Sequence, residues 1–411
     1  MKKWSLLMLF LCLLSLSNHT AAASIKDIKA AFIRDGNLWT LVHNQETQIT
    51  QTGKIDHPQW SHDGKWLLYQ KETTAALQNN EIQHEIWVYN FETKEKKKIF
   101  YDGYQPHWAP NQNIVAFINN GVLNISDLKE FHNSAVGVFS YMWLPDGKGF
   151  LLSSQADLKP DGWTSPIIYK KKLPKKISEV NVFGGIDEVF VVPKDLRIDN
   201  KYIMSINVDF LNISPSGKRL PMIVSPTASL AMDSNMLCVL SSDGKKFEIL
   251  DEIIYGVGAP KWAPNKDILA YIAGGGRIVF GFKGKDLKYK EFPVSSLTPS
   301  NFAELNFTWT DDQSIVTSRV EAKEWSNEFS EHPFPSLYSL KLNNEKQVQI
   351  TEASNGLGDY DPYYLKSIDK LIWYRGTSIT DQNRNLWIAD VDGSNAKLWL
   401  KNVDFIEFFE L

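Results

Sequence analysis

The chain has 411 residues with 44 Lys and Arg against 48 Asp and Glu, a formal net charge of −4, so it lacks the global basic bias of a phosphate-tracking, nucleic-acid-binding protein. It is long enough to bury a large core without covalent staples. Its 14 Trp, 22 Phe and 15 Tyr are large flat side chains of the kind that fill the space between packed sheets.

The first residues read as a secretory leader. Lys2 and Lys3 precede the apolar run Trp4–Leu14, and a polar stretch then leads to Ala21-Ala22-Ala23, the basic, apolar and small-residue parts of a signal peptide. Cleavage after Ala23 is expected, which makes 1–23 the signal peptide and 24–411 one domain of an exported, secreted or envelope-associated protein. The apolar run is short for a membrane span; retention as an uncleaved anchor is the alternative and the only membrane contact expected. Cys12 lies inside that run, so Cys238 is the one cysteine of the mature chain and no internal disulfide can form. Removing Lys2 and Lys3 leaves 42 basic against 48 acidic residues, a charge of −6.

Short strands follow: Ala30–Ile33, a turn at Asp35-Gly36, Asn37–Leu41 and Gln48–Thr50. A motif then recurs along the chain. It appears at Pro58-Gln59-Trp60-Ser61-His62-Asp63-Gly64-Lys65, Pro106–Asn111, Trp143–Lys148, Ile213–Lys218, Pro260–Asn265, Phe307–Asp312 and, in degenerate form, Pro362–Ser367. In each copy a strand ending near an aromatic residue enters a tight turn, where Pro fixes φ and Asn, Asp or Gly tolerates the reversal. An apolar run rich in β-branched and aromatic residues comes next, such as Trp66–Tyr69, Ile114–Phe117 or Leu371–Tyr374. A third run (Glu85–Tyr89, Leu337–Leu340) and a shorter polar fourth (Lys97–Phe100, Gln347–Ile350) complete the unit. Four strands per unit, repeated, predict the all-β fold of a β-propeller.

The residues after the aromatic, Ser61, Ala109, Leu144, Ser214, Ala263, Thr310 and Leu365, are separated by 48, 35, 70, 49, 47 and 55 residues. The adjacent short and long intervals place an insertion within Gln155–Asn200. The N-terminal set lacks a first strand and the C-terminus has one to spare, Val403–Phe409, so the tail is expected to close the ring as a three-plus-one blade. Eight blades result, or seven if the unit beginning near Tyr104 is incomplete.

The Pro-x-Trp-Ser-x-Asp-Gly-Lys turn, the apolar strand after it and the later Leu-Trp strand ending in Asp resemble the WD-like propeller repeat of TolB-type proteins, shared by the propellers of prolyl-oligopeptidase relatives. That resemblance implies a propeller and an interaction scaffold. Those peptidases carry their nucleophile on a separate α/β-hydrolase domain, and here the repeats run to the last residues, so a peptidase is not expected.

Function is less legible. There is no His-Glu-x-x-His, no Gly-x-Ser-x-Gly, no Cys-x-x-Cys and no phosphate-binding glycine loop, so no catalytic residue is assigned. The loops entering the innermost strands should converge on the channel mouth. They bring Asp56 and His57, Tyr104 and Gln105, Tyr141, Asp209, Glu304, Asp359 and Asp361 there as candidate ligand-binding residues. Several carboxylates at one mouth suit Ca²⁺, which takes six to eight oxygens, or a basic peptide segment; Asp390–Asn395 has the opening of a calcium loop without its distal Glu. The basic runs Lys94–Lys98 and Lys170–Lys176 are either solvated strand edges or contacts for an anionic wall polymer. The expected function is a non-catalytic scaffold that binds a protein segment or wall component in the bacterial envelope. The alternatives are a polysaccharide lyase or hydrolase with a metal at the mouth, and an accessory or sensor subunit.

Overall fold

A computed structural model describes residues 28–410 apart from 52, 75–80, 227–233, 276–282, 291–293, 325, 327, 345 and 353–355. The expected signal peptide, 1–23, lies outside the described residues. Eight four-stranded antiparallel sheets are arranged as the blades of one ring, and all four strands of the unit beginning at Tyr104 are present, which decides for eight blades over seven.

Blade 1 is made by both ends of the chain. Its innermost strand, Phe405–Phe408, pairs with Lys29–Arg34, and Asn37–Val42 and Gln45–Gln48 follow outward. The closing register sets Ala30 opposite Phe408 and Ile33 opposite Phe405. The tail strand is shorter than Val403–Phe409, because Val403 still belongs to the outer strand of blade 8, Lys397–Val403. Blades 2 to 8 run outward in chain order, and their innermost strands are Ile55–Trp60, Tyr104–Ala109, Ser140–Trp143, Asn207–Phe210, Lys261–Trp262, Phe302–Asp311 and Gly358–Leu365.

The stretch Gln155–Asn200 is not a single insertion. It contains blade 4's own outer strands, Ile167–Lys172 and Ile186–Val191, and the extra chain is divided between two hairpins. One, Leu158–Lys159 with Gly162–Trp163, joins the second and third strands of blade 4; the other, Asp195–Ile198 with Lys201–Met204, leads into blade 5.

The motif turn explains its own residues. In blade 2, Ser61 N donates to Trp66 O at 2.9 Å and Gly64 N to Ser61 O at 2.9 Å, while Asp63 Oδ1 accepts from Ser61 Oγ at 2.7 Å and Lys65 N at 3.0 Å. Gly64 has φ +64°, and a Cβ there would stand 2.5 Å from the Phe409 ring, so only glycine fits both the turn and the tail strand packed over it. Neighbouring turns are tied together: Asn113 Nδ2 donates to Asp63 Oδ2 at 3.0 Å, and Ser216 Oγ to Asp267 Oδ2 at 2.6 Å.

The repeated tryptophan does more than fill space. Its indole Nε1 donates to the backbone carbonyl one residue before the equivalent position of the preceding blade. These bonds are Trp108 to Gln59 at 3.2 Å, Trp143 to His107 at 3.4 Å, Trp262 to Asn212 at 2.7 Å and Trp309 to Lys261 at 3.1 Å. Near the axis, each such bond latches one blade to the next.

Candidate functional site: the inner ring and the cleft between blades 3 and 4

The innermost strands carry a bulge at their entrance. The pairing slips between Asp56 and Gln59, Tyr104 and His107, and Tyr360 and Tyr363, and in each slip one residue, His57, Gln105 or Asp361, takes φ near +50° ahead of a proline. The slip re-aims the entrance residues and separates groups that the sequence pattern brought together.

The nine candidate residues therefore part company. Asp56 and His57 are exposed at the entrance of blade 2. Tyr141 is buried, with its hydroxyl directed at the carbonyls of Gln105 at 2.5 Å and Ala116 at 2.6 Å, and burial pushes its pKa well up. Asp209 accepts the Tyr255 hydroxyl, and burial raises its pKa. Glu304 and Asp359 are fully buried (0% exposed) rather than at the mouth. Glu304 receives Arg319 Nε at 2.7 Å and Thr317 Oγ1 at 2.7 Å; burial raises its pKa against the pull of the Arg319 charge. Asp359 receives Arg375 Nε at 2.6 Å and Nη2 at 2.9 Å, together with Trp373 Nε1 at 2.8 Å. Asp361 accepts Arg384 Nη1 at 2.9 Å and Asn306 Nδ2 at 2.9 Å.

These carboxylates do not fit a Ca²⁺ shell as arranged, because arginine, amide and hydroxyl donors already occupy the oxygens that a metal would need. Among the described residues no group of three or more His, Cys, Asp or Glu side chains is placed to hold a metal ion. In Asp390–Asn395, Asp390 is paired with Lys370, and Ser394 and Asn395 turn back onto it. The basic runs are also partly tied: Lys171 is fully buried, with Nζ donating to Asn181 O at 2.6 Å and Gly184 O at 2.5 Å, and Lys98 pairs with Glu85 at 2.5 Å.

A ring that the sequence reading missed lies one residue before the repeated aromatic. There Glu407, Gln59, His107, Met142, Asn212, Lys261, Thr308 and Tyr363 occupy one equivalent register position, one per blade. His107 is solvent-accessible yet enclosed by the surrounding blades; that enclosure lowers its pKa, the neighbouring His57 lowers it further, and its Nδ1 lies 3.3 Å from Gln59 Oε1. Lys261 is lowered to about 8 by burial, with Asp361 opposing, and its Nζ donates to Asn306 Oδ1 at 3.2 Å. Glu407 is half-buried without a hydrogen bond or ion pair among the described residues, and desolvation alone pushes it up to about 7. Counting back one residue from each aromatic would have found this ring.

Two candidate residues, Tyr104 and Gln105, line a cleft of about 790 Å³ between blades 3 and 4. One wall is the two-residue turn Asn120-Gly121, with φ of +48° and +71° as a type I′ hairpin requires. Phe139, on the connection into blade 4, and Tyr169, on that blade's third strand, supply two more rings. The last wall is the inserted hairpin, through Ser154, Asp157, Thr164 and Ser165. The hairpin base is closed by Thr164 N to Asp157 O at 2.9 Å and Asp157 N to Thr164 Oγ1 at 2.8 Å. The insertion and the Asn-Gly turn were both visible in the sequence, but nothing in it said that they face each other.

Fold and cleft together define an eight-bladed, tail-closed β-propeller with a cleft between blades 3 and 4. By sequence, no family model matches the chain and no curated protein matches it. Solved structures share the fold. One described as a eukaryotic initiation factor aligns at 11% identity and TM-score 0.58 over 92% of this chain and 87% of its own. The dihydro-heme d1 dehydrogenase NirN aligns at 10% identity and TM-score 0.54 over 93% of this chain and 74% of its own. TolB from Acinetobacter baumannii aligns over 95% of this chain and 68% of its own at 11% identity and TM-score 0.38. At these identities the likeness is one of fold, and a propeller hosts many unrelated functions.

Proposed function

We propose that the protein is an exported propeller that binds a component of the bacterial cell envelope, without transforming it, in the cleft between blades 3 and 4. The observation that carries this reading is the chemistry of the cleft wall. Its lining has a single carboxylate, Asp157, which lies 3.4 Å from Lys159, so the pair of carboxylates that glycoside hydrolysis uses does not meet there. The volume of about 790 Å³ is of the size that holds a small ligand, and aromatic rings with amide and hydroxyl groups around it suit binding. The leader-like start, Lys2 to Ala23, supports export. A wall component is favoured over a protein segment because the cleft offers separate polar groups and rings rather than an unpaired strand edge.

The test is co-sedimentation of the purified protein with insoluble wall sacculi, comparing the natural chain with Tyr104→Ala/Tyr169→Ala. Retention by the natural chain and loss in the double variant is the expected result. Equal sedimentation of the two, or none of either, would remove the cleft from the account.

A further inference from the structure

We propose that the cleft between blades 3 and 4 is a binding site for an uncharged oligosaccharide, a proposal that rests on the binding reading above and narrows its ligand. Three aromatic rings from three different elements border it. Tyr104 is 46% exposed, and Phe139 and Tyr169 are half-buried. Rings held in this way offer flat apolar faces to the axial C–H faces of a pyranose, a contact with the same physical origin as other aromatic packing.

The second observation is hydrogen-bonding capacity left over. The side chains of Gln105, Asn120 and Ser165 and the hydroxyls of Tyr104 and Tyr169 make no hydrogen bond with other described residues. Amides and hydroxyls both donate and accept. Sugar hydroxyls do the same, so such groups satisfy one another without a net charge on either side.

The third observation is electrostatic. Asp157 is the only charged side chain in the lining and it has Lys159 beside it, so neither an anionic nor a cationic ligand would meet a dedicated counter-charge. A phosphorylated or nucleotide ligand calls for cationic groups, and a lipid chain would leave the amides dry and unpaired. An uncharged, polyhydroxylated ligand with apolar faces meets neither difficulty. The position agrees: two of the walls are the Asn120-Gly121 turn of blade 3 and the base of the hairpin between the second and third strands of blade 4.

Isothermal titration of the full mature chain with uncharged hexose and N-acetylhexosamine tetrasaccharides tests the proposal, alongside an uncharged tetrapeptide and sacculi. The expected result is saturable binding of at least one tetrasaccharide that persists in high salt, since no ion pair contributes. Tyr104→Ala should weaken it roughly tenfold or more, corresponding to the ~1.4 kcal/mol per decade of affinity. Tyr104→Phe keeps the ring and should retain most of the affinity. Unchanged thermal unfolding of both variants would show that the loss is local. If sacculi bind through the cleft but only the peptide titrates, the sugar assignment is overturned and the binding reading stands. If sacculi do not bind in a Tyr104-dependent way, the binding reading falls with it. Binding lost in high salt, or equally strong in Tyr104→Ala, would also overturn the sugar assignment.

Discussion

Glu407 offers a sharp test of the inner ring. It sits on the tail strand that closes the propeller, half-buried, with desolvation alone raising its pKa from 4.5 to about 7. The folded protein therefore keeps a proton on this carboxyl between those values, where the unfolded chain has released it. The associated stability is fully present below about pH 4.5 and is lost as pH rises through 7. At ~1.4 kcal/mol per tenfold change in proton affinity, the difference is on the order of 3 kcal/mol, and the partial exposure of Glu407 reduces it to roughly 1–3 kcal/mol. Glu407→Gln removes the titration and keeps the shape. Urea unfolding followed by tryptophan fluorescence at pH 5 and pH 8 should show the variant gaining on the natural chain by that amount between the two. His107, whose pKa is lowered by burial and by His57, is present in both proteins, so its contribution cancels. A stability difference between variant and natural chain that does not change with pH would refute the placement of Glu407 in a desolvated ring.

Three further outcomes follow from packing. Arg319→Met leaves Glu304 buried without its cation and should cost about 3–5 kcal/mol, while Glu304→Leu/Arg319→Met should recover most of it, both measured by urea unfolding. Trp309→Phe loses the indole bond to Lys261 O, whereas Trp60 Nε1 is buried with no partner, so Trp309→Phe should destabilise by about 1 kcal/mol more than Trp60→Phe. Removing the last ten residues strips the innermost strand from blade 1 and exposes the edge beside Ala30, Ala31 and Phe32, all 0% exposed in the intact ring; loss of cooperative unfolding and aggregation on size-exclusion chromatography are expected.

The repeat was legible because its turn chemistry is local. Ser61, Asp63 and Gly64 make their bonds within a few residues, so the pattern survives in the sequence and fixes the blade period. The three-plus-one closure was legible too, as an unmatched strand at each end. The site was not, because its chemistry is decided across strands. Nothing near Glu304 or Asp359 in the chain announces Arg319 or Arg375, yet each arginine sits directly across the ladder from its carboxylate and turns a candidate ligand group into a buried ion pair. The arginines in the apolar second strands of blades 7 and 8 were the available signal: a charge in a strand that is otherwise buried implies a partner opposite it. The insertion was located by interval counting, but the count cannot tell added chain from a blade's own outer strands.

One wall of the cleft stands at the base of a short hairpin that the fold does not need. Leu158 is 66% exposed, and the hairpin beyond Asp157 and Thr164 contributes no buried hydrophobic residue to the ring, whereas Ala156, just before it, is buried and its N donates to Ile206 O at 2.9 Å. Asp157 and Thr164 already face each other as the base of a hairpin, so Leu158–Trp163 can be replaced by Asn-Gly, whose type I′ turn matches the twist of the strands it joins. Because none of the excised residues is buried, the replacement should change stability by no more than about 0.5 kcal/mol. The lining residues Ser154, Asp157, Thr164 and Ser165 all remain, so retention on sacculi should survive the replacement. Loss of retention would mean that the wall component is held by the hairpin tip rather than in the cleft, and a collapse in stability would mean that the hairpin is part of the blade rather than an addition to it.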